Sequence, residues 1–133
     1  MTRFFALFTA VFAFAVATFA LPATANAADI KQYSAASFQA AQKAGKTVVV
    51  DVHADWCPTC KTQAPILSEL AKDKALKNVV FMRVDFDSDK AFLREHRIPR
   101  QSTILVFQGT KETGRSIAET NRARLRSFVF GAV

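Results

Sequence analysis

Cysteine is nearly absent from this chain: its 133 residues include two, and histidine also occurs only twice. Two cysteines are too few for the disulfide framework of a small stapled scaffold. A closed structural zinc site needs four ligands, whereas Cys57, Cys60, His53 and His96 give one close pair and two isolated imidazoles. The sequence lacks an Asn-x-Ser/Thr sequon, an internal repeat, a low-complexity tract and a long linker. It ends in Phe130-Gly131-Ala132-Val133 rather than an endoplasmic-reticulum retention tetrapeptide. The missing sequon and retention signal lean toward a bacterial periplasm.

Charge of one sign is in short supply as well, with 11 acidic against 18 basic residues and a net charge of +7. Such a balance favours anionic lipid or acidic partner surfaces. At Arg122, Arg124 and Arg126 it reads first as a solvated helix face and only second as a docking site.

The one long apolar run is N-terminal. Arg3 precedes Phe4 to Leu21, then Pro22 and Ala23-Thr24-Ala25-Asn26-Ala27-Ala28. A basic start, an apolar stretch and an Ala-x-Ala site predict a signal peptide over residues 1–27, cleaved after Ala27. The competing reading is an uncleaved membrane anchor, since 18 residues approach the lower limit for a spanning helix. Cleavage leaves residues 28–133, one domain of 106 residues with 17 basic against 11 acidic side chains. Nucleic acid is not an expected partner of an exported domain.

Within that domain strands and helices alternate. Ile30–Tyr33 reads as a short strand, and Ser37 as the cap of a helix stopped by Gly45. The β-branched run Thr47–Val52 predicts a central strand buried on both faces. A helix follows with Ile66, Leu67, Leu70 and Ala71 at helical spacing, kinked at Pro65. Val79–Val84 and Thr103–Phe107 predict two further strands, with a helix over Asp87–His96 capped by Ser88 between them. Gly109 and Gly114 bracket a turn into a strand from Arg115 to Ala118, and Asn121 caps a last helix through Leu125, Phe128 and Val129. The order β-α-β-α-β-α-β-β-α predicts an α/β domain, a mixed central sheet with helices on both faces.

The chemistry concentrates in Trp56-Cys57-Pro58-Thr59-Cys60-Lys61. A cysteine in the first turn of a helix faces unpaired backbone N–H groups and the positive end of the macrodipole, which favours the attacking thiolate. Cys60, one turn on, shares that helical face and is positioned to close a disulfide with Cys57 or to resolve a mixed one. A redox dithiol is the leading reading, and metal binding or inert packing the alternative.

Val49-Val50-Asp51-Val52-His53-Ala54-Asp55-Trp56-Cys57-Pro58-Thr59-Cys60-Lys61, Ala64-Pro65-Ile66-Leu67 and the terminal hairpin and helix resemble the thioredoxin family over nearly all of residues 28–133. The resemblance implies a thioredoxin-like fold. It makes Cys57 an exposed attacking sulfur and Cys60 a buried resolving one, with no cofactor beyond the redox-active disulfide between them. It makes Asp51 a buried acid that takes the Cys60 proton, against the plain alternative of an Asp facing water. Trp56, Pro58, Thr59, Gln101 and Ser102 become the surface that meets substrate. His53 stands where the family often has an aromatic; it reads mainly as a half-exposed strand residue, or else as an imidazole acting on the sulfurs. The clearest departure is Ser102, in the slot of the family's cis-proline. Its preceding peptide bond is expected to be trans and its loop to relax away from the family geometry, opening space beside Cys57 and Cys60.

These readings make the chain a periplasmic or secreted single-domain monomer that exchanges disulfides with thiol- or disulfide-bearing exported proteins, on the reductase side and recharged by a membrane electron donor. The alternative is a carrier of a soft metal such as copper on the same thiols.

Overall fold

The computed structural model describes residues 29–133; the apolar run and the cleavage site after Ala27 lie outside the described residues. Among the described residues no helix is long and apolar enough to cross a membrane. The elements are β1 (Lys31–Gln32), α1 (Ala35–Lys43), β2 (Thr47–His53), α2 (Pro58–Ala71), β3 (Val80–Asp85), α3 (Lys90–Glu95), β4 (Thr103–Gln108), β5 (Lys111–Ile117) and α4 (Arg122–Ala132), with a short 3-10 turn at Lys74–Leu76.

The five strands form one sheet in the order β1-β3-β2-β4-β5. β3 runs parallel to β1 and β2, β4 antiparallel to β2, and β5 antiparallel to β4. This is the mixed sheet the alternating pattern predicts. Because side chains alternate along a strand, β2 supplies both cores. Val49 packs with Ile66, Leu67 and Leu70 of α2 and Leu125 and Val129 of α4, while Val48, Val50 and Val52 pack with Phe38 of α1 and Phe92 and Leu93 of α3. Asp51 and His53 share the parity of Val49 and so belong to the α2 side.

Several boundaries differ from the sequence reading for local reasons. Ser34, not Ser37, caps α1, its hydroxyl accepting from the Ser37 N–H at 3.1 Å. α3 starts at Lys90 rather than Asp87, because Asp85 Oδ1 accepts the N–H groups of Asp87 at 2.7 Å and Ser88 at 2.9 Å, holding that stretch in a turn. β5 starts at Lys111. The turn centres on Gly109 at φ 58°, while Gly114 lies within the strand beside a register shift at Val106/Phe107. α2 continues through Pro65, which has no N–H to give the carbonyl one turn back.

Candidate active site

The site forms where β2 runs out and α2 begins. Cys57 is the N-cap of α2 and Pro58 occupies the first turn, where its missing N–H costs nothing. The Cys57 Sγ accepts the Cys60 N–H at 3.2 Å, as the helix-start argument requires. Both thiols are free. Cys57 is buried, 1% exposed, contrary to the exposed sulfur the family resemblance implies. Ala54, Phe86 and the Ser102 loop close around it. Cys60 is fully buried and lies deeper.

Ser102 is where the structure departs most from expectation. The Gln101–Ser102 peptide is trans, as expected. No space has opened beside the sulfurs, however. Ser102 is fully buried, and its Oγ lies 3.1 Å from Cys57 Sγ and 3.2 Å from Cys60 Sγ. The cause is the backbone: the Ser102 N–H donates to Val52 O at 2.8 Å, its carbonyl accepts from Ala118 N at 2.9 Å, and φ is 63°. Those bonds extend the pairing of β4 with both neighbouring strands by one residue and aim the side chain at the sulfurs.

The two thiols are driven apart electrostatically. Burial pushes Cys57 up, but hydrogen bonds from Cys60, Ser102 and, least, Gln101 outweigh it and hold the thiol below its ordinary value. Cys60 is raised by burial first and then by its neighbour Cys57, against a smaller opposing effect of Ser102. The negative charge therefore belongs on Cys57.

Asp51 is buried, 3% exposed, so it does not face water. Its Oδ2 accepts from Arg83 Nε at 2.9 Å, while Oδ1 is buried without a partner. Burial raises its pKa, and Arg83 and then His53 offset only part of that effect. His53 is half-buried rather than placed on the sulfurs: its Nδ1 is 4.0 Å from Asp51 Oδ2 and its Nε2 3.3 Å from the fully exposed Asp55.

Trp56 is 57% exposed, its Nε1 donating to Asp87 Oδ2 at 2.8 Å, which fixes a large apolar ring at the rim. Pro58 is exposed, Thr59 is half-buried between the cysteines in sequence, and Gln101 is half-buried next to Ser102. Two contributors escaped the sequence reading. Asp87 is one. The other is Gln63, fully buried, whose Nε2 donates to the carbonyls of Ser102 at 3.3 Å and Glu119 at 2.9 Å. Its spacing from Cys60, one turn on the buried face of α2, is the signal that marks it. Arg122, Arg124 and Arg126 pair with Glu69, Glu119 and Asp73 on the surface. Among the described residues no three His, Cys, Asp or Glu side chains converge to hold a metal ion.

Comparison with known proteins agrees with this geometry. The family profile described as Thioredoxin matches residues 29–130. The chain belongs to the thioredoxin family. It is 31% identical over 100 residues to a thioredoxin of Echinococcus granulosus, an alignment covering 75% of this chain and 91% of that protein. It is 27% identical over 116 residues to a protein disulfide-isomerase of Humicola insolens, covering 87% of this chain and 23% of that one. Among solved structures, Trxlp from Edwardsiella tarda superposes with a TM-score of 0.73 at 40% identity, covering 75% of this chain and 97% of Trxlp. The thioredoxin-family chain described here is thus a thiol-disulfide oxidoreductase built on an adjacent Cys57/Cys60 pair, the protein disulfide reductase type. Thioredoxins carry this chemistry on the dithiol itself and act on disulfide-bearing proteins.

Proposed function

We propose that the chain is an exported protein disulfide reductase in which Cys57 attacks and Cys60 resolves. The observation that carries the assignment is the opposite electrostatic treatment of the two thiols, with Cys57 at the helix N-terminus and Cys60 buried behind it. The Cys57 thiolate attacks one sulfur of a client disulfide, forming a Cys57–client bond and releasing the first client thiolate. Cys60 then loses its proton to Asp51, directly or through water, and attacks the Cys57 sulfur. The second client thiolate leaves, and the Cys57–Cys60 disulfide remains for a dithiol donor to reduce. Trp56, Pro58, Thr59 and Gln101 form the rim that meets the client.

Export rests on the sequence from Arg3 to Ala28, with a soluble product beginning at Ala28. In an oxidising compartment a lone pair of this kind works on other exported proteins, and a reductase there requires a membrane partner to return electrons. The domain acts as a monomer. A carrier of Cu(I) on the same two thiolates is the competing reading.

Insulin reduction with a dithiol donor, run beside copper titration of the reduced protein, separates these readings. A reductase turns insulin over at catalytic concentrations and shows no stoichiometric high-affinity copper. Tight stoichiometric copper without turnover assigns the carrier. Export is tested separately by the N-terminal mass of the soluble exported protein; a full-length chain in the membrane fraction contradicts cleavage.

A further inference from the structure

A serine hydroxyl has one proton to give and two lone pairs to receive with. The Ser102 hydroxyl stands within 3.2 Å of both sulfurs, fully enclosed. With one thiolate and one thiol on either side of it, one arrangement uses the hydroxyl as donor and acceptor at once. The Ser102 O–H donates to the Cys57 thiolate, and the Cys60 S–H donates to Ser102 Oγ. The other acceptors in reach of the Cys60 thiol are the Cys57 sulfur itself and Val52 O, the latter at 4.0 Å, the limit of a sulfur hydrogen bond.

The placement is held from several sides. The backbone is left-handed at φ 63°, a conformation L-residues other than Asn and Asp rarely adopt. Such a conformation persists where surroundings over-determine it. Here Val52, Ala118 and Gln63 all bond the Ser102 backbone. Gln63 reaches Glu119 with the same amide, tying the loop to the segment before α4.

We propose that Ser102 is a catalytic residue of this oxidoreductase, a hydroxyl donor that stabilises whichever of the two sulfurs carries the negative charge. In the resting dithiol the donor serves Cys57. When Cys57 has entered the mixed disulfide and become neutral, the hydroxyl rotates its proton to Cys60, whose own proton leaves to Asp51 or solvent as its sulfur attacks. No bond to Ser102 forms or breaks, and the serine ends the cycle unchanged. In the Cys57–Cys60 disulfide neither sulfur is charged, so the donor favours the dithiol and moves the equilibrium toward it. The inference rests on the assignment of Cys57 and Cys60 above.

Three signatures follow for Ser102→Gly, which removes the hydroxyl while suiting a positive φ, and for Ser102→Ala, which keeps Cβ. The Cys57 thiolate, followed by its ultraviolet absorbance, forms about one pH unit higher, the scale of a hydrogen bond to a charged group. Reaction with dithiodipyridine becomes about threefold slower below the wild-type midpoint and about threefold faster above both midpoints. The crossover arises because a tenfold loss of thiolate is partly offset by a more nucleophilic sulfur, with a Brønsted slope of about 0.4 to 0.5. Equilibrium with glutathione shifts about tenfold toward the disulfide, equivalent to about 30 mV.

A lost packing contact gives a different pattern, a rate change of one factor at all pH values with no shift in midpoint. That outcome in the glycine variant overturns the proposal. So does wild-type protein in which iodoacetamide, just above the lower midpoint, modifies Cys60 before Cys57, a test that needs no variant to fold. Glycine variants that still reduce insulin with an unshifted midpoint overturn the role of Ser102 alone. Loss of insulin reduction by the wild-type chain overturns the reading beneath it.

Discussion

Arg83 Nε lies 2.9 Å from Asp51 Oδ2 across the paired strands β2 and β3, where the two residues stand in register. The Arg83 side chain is 30% exposed and that of Asp51 4%, so the cation is partly screened by water while the carboxylate is not. Burial therefore dominates, and the Asp51 pKa is raised in the fold. A carboxyl raised by folding favours the protonated state, so its contribution to stability is greatest below the unfolded value of 3.8 and is lost as pH rises through the folded value.

Asp51→Asn is accordingly expected to raise the urea midpoint at pH 7 and to leave it nearly unchanged at pH 3.5. The same variant slows release of the client from its mixed disulfide by about a hundredfold, the lower range of general acid-base effects, while sparing the first attack. Rapid mixing separates the two steps, and equal slowing of both removes Asp51 from proton transfer.

His96 has a different pH signature. Its ring packs against Phe38, Phe92 and Phe107, with Nε2 buried and unpartnered. Burial depresses its pKa, with Glu95 and Glu112 opposing and Arg115 assisting. The fold thus holds neutral imidazole, and stability is full above the unfolded value of 6.5 and lost as pH falls below it. His96→Phe keeps the aromatic packing and is expected to flatten the decline between pH 6.5 and 5. An unchanged slope in urea titrations places the acid sensitivity elsewhere.

Gly114 is a packing requirement. A Cβ there meets Ala132 Cβ at 2.8 Å and the Phe128 ring at 3.0 Å, where α4 lies on β5. Gly114→Ala is expected to cost about 1 to 3 kcal/mol in urea unfolding, the range for an overpacked contact. Adding Ala132→Gly should recover part of the loss, and strictly additive destabilisation contradicts this contact.

The legible parts of the sequence are those with local causes. The β-branched run of β2 and the apolar run of β4 identify central strands, and two cysteines one turn apart at a helix start identify the chemistry. β5 was only partly visible, because Lys111-Glu112-Thr113-Gly114-Arg115-Ser116-Ile117 has no apolar alternation and becomes a strand through pairing with β4. The inward turn of Ser102 was invisible for the same reason. Its backbone partners are Val52 and Ala118, which the sequence keeps far from it and the sheet brings together. Asp87 joins the site through a contact 31 residues distant, beyond any local pattern, and Gln63 bonds Ser102 across 39 residues with only its place one turn after Cys60 as a local sign.

The division of labour between Cys57 and Cys60 is tested most directly by trapping. Each is replaced singly by serine in the full chain, and proteins linked to it by disulfide are isolated under acid quench and measured by non-reducing mass analysis. The Cys60→Ser protein is expected to accumulate mixed disulfides through Cys57, because it attacks and lacks the resolving thiol, whereas Cys57→Ser accumulates essentially none. Equal trapping by both variants, or trapping through Cys60 alone, contradicts the account.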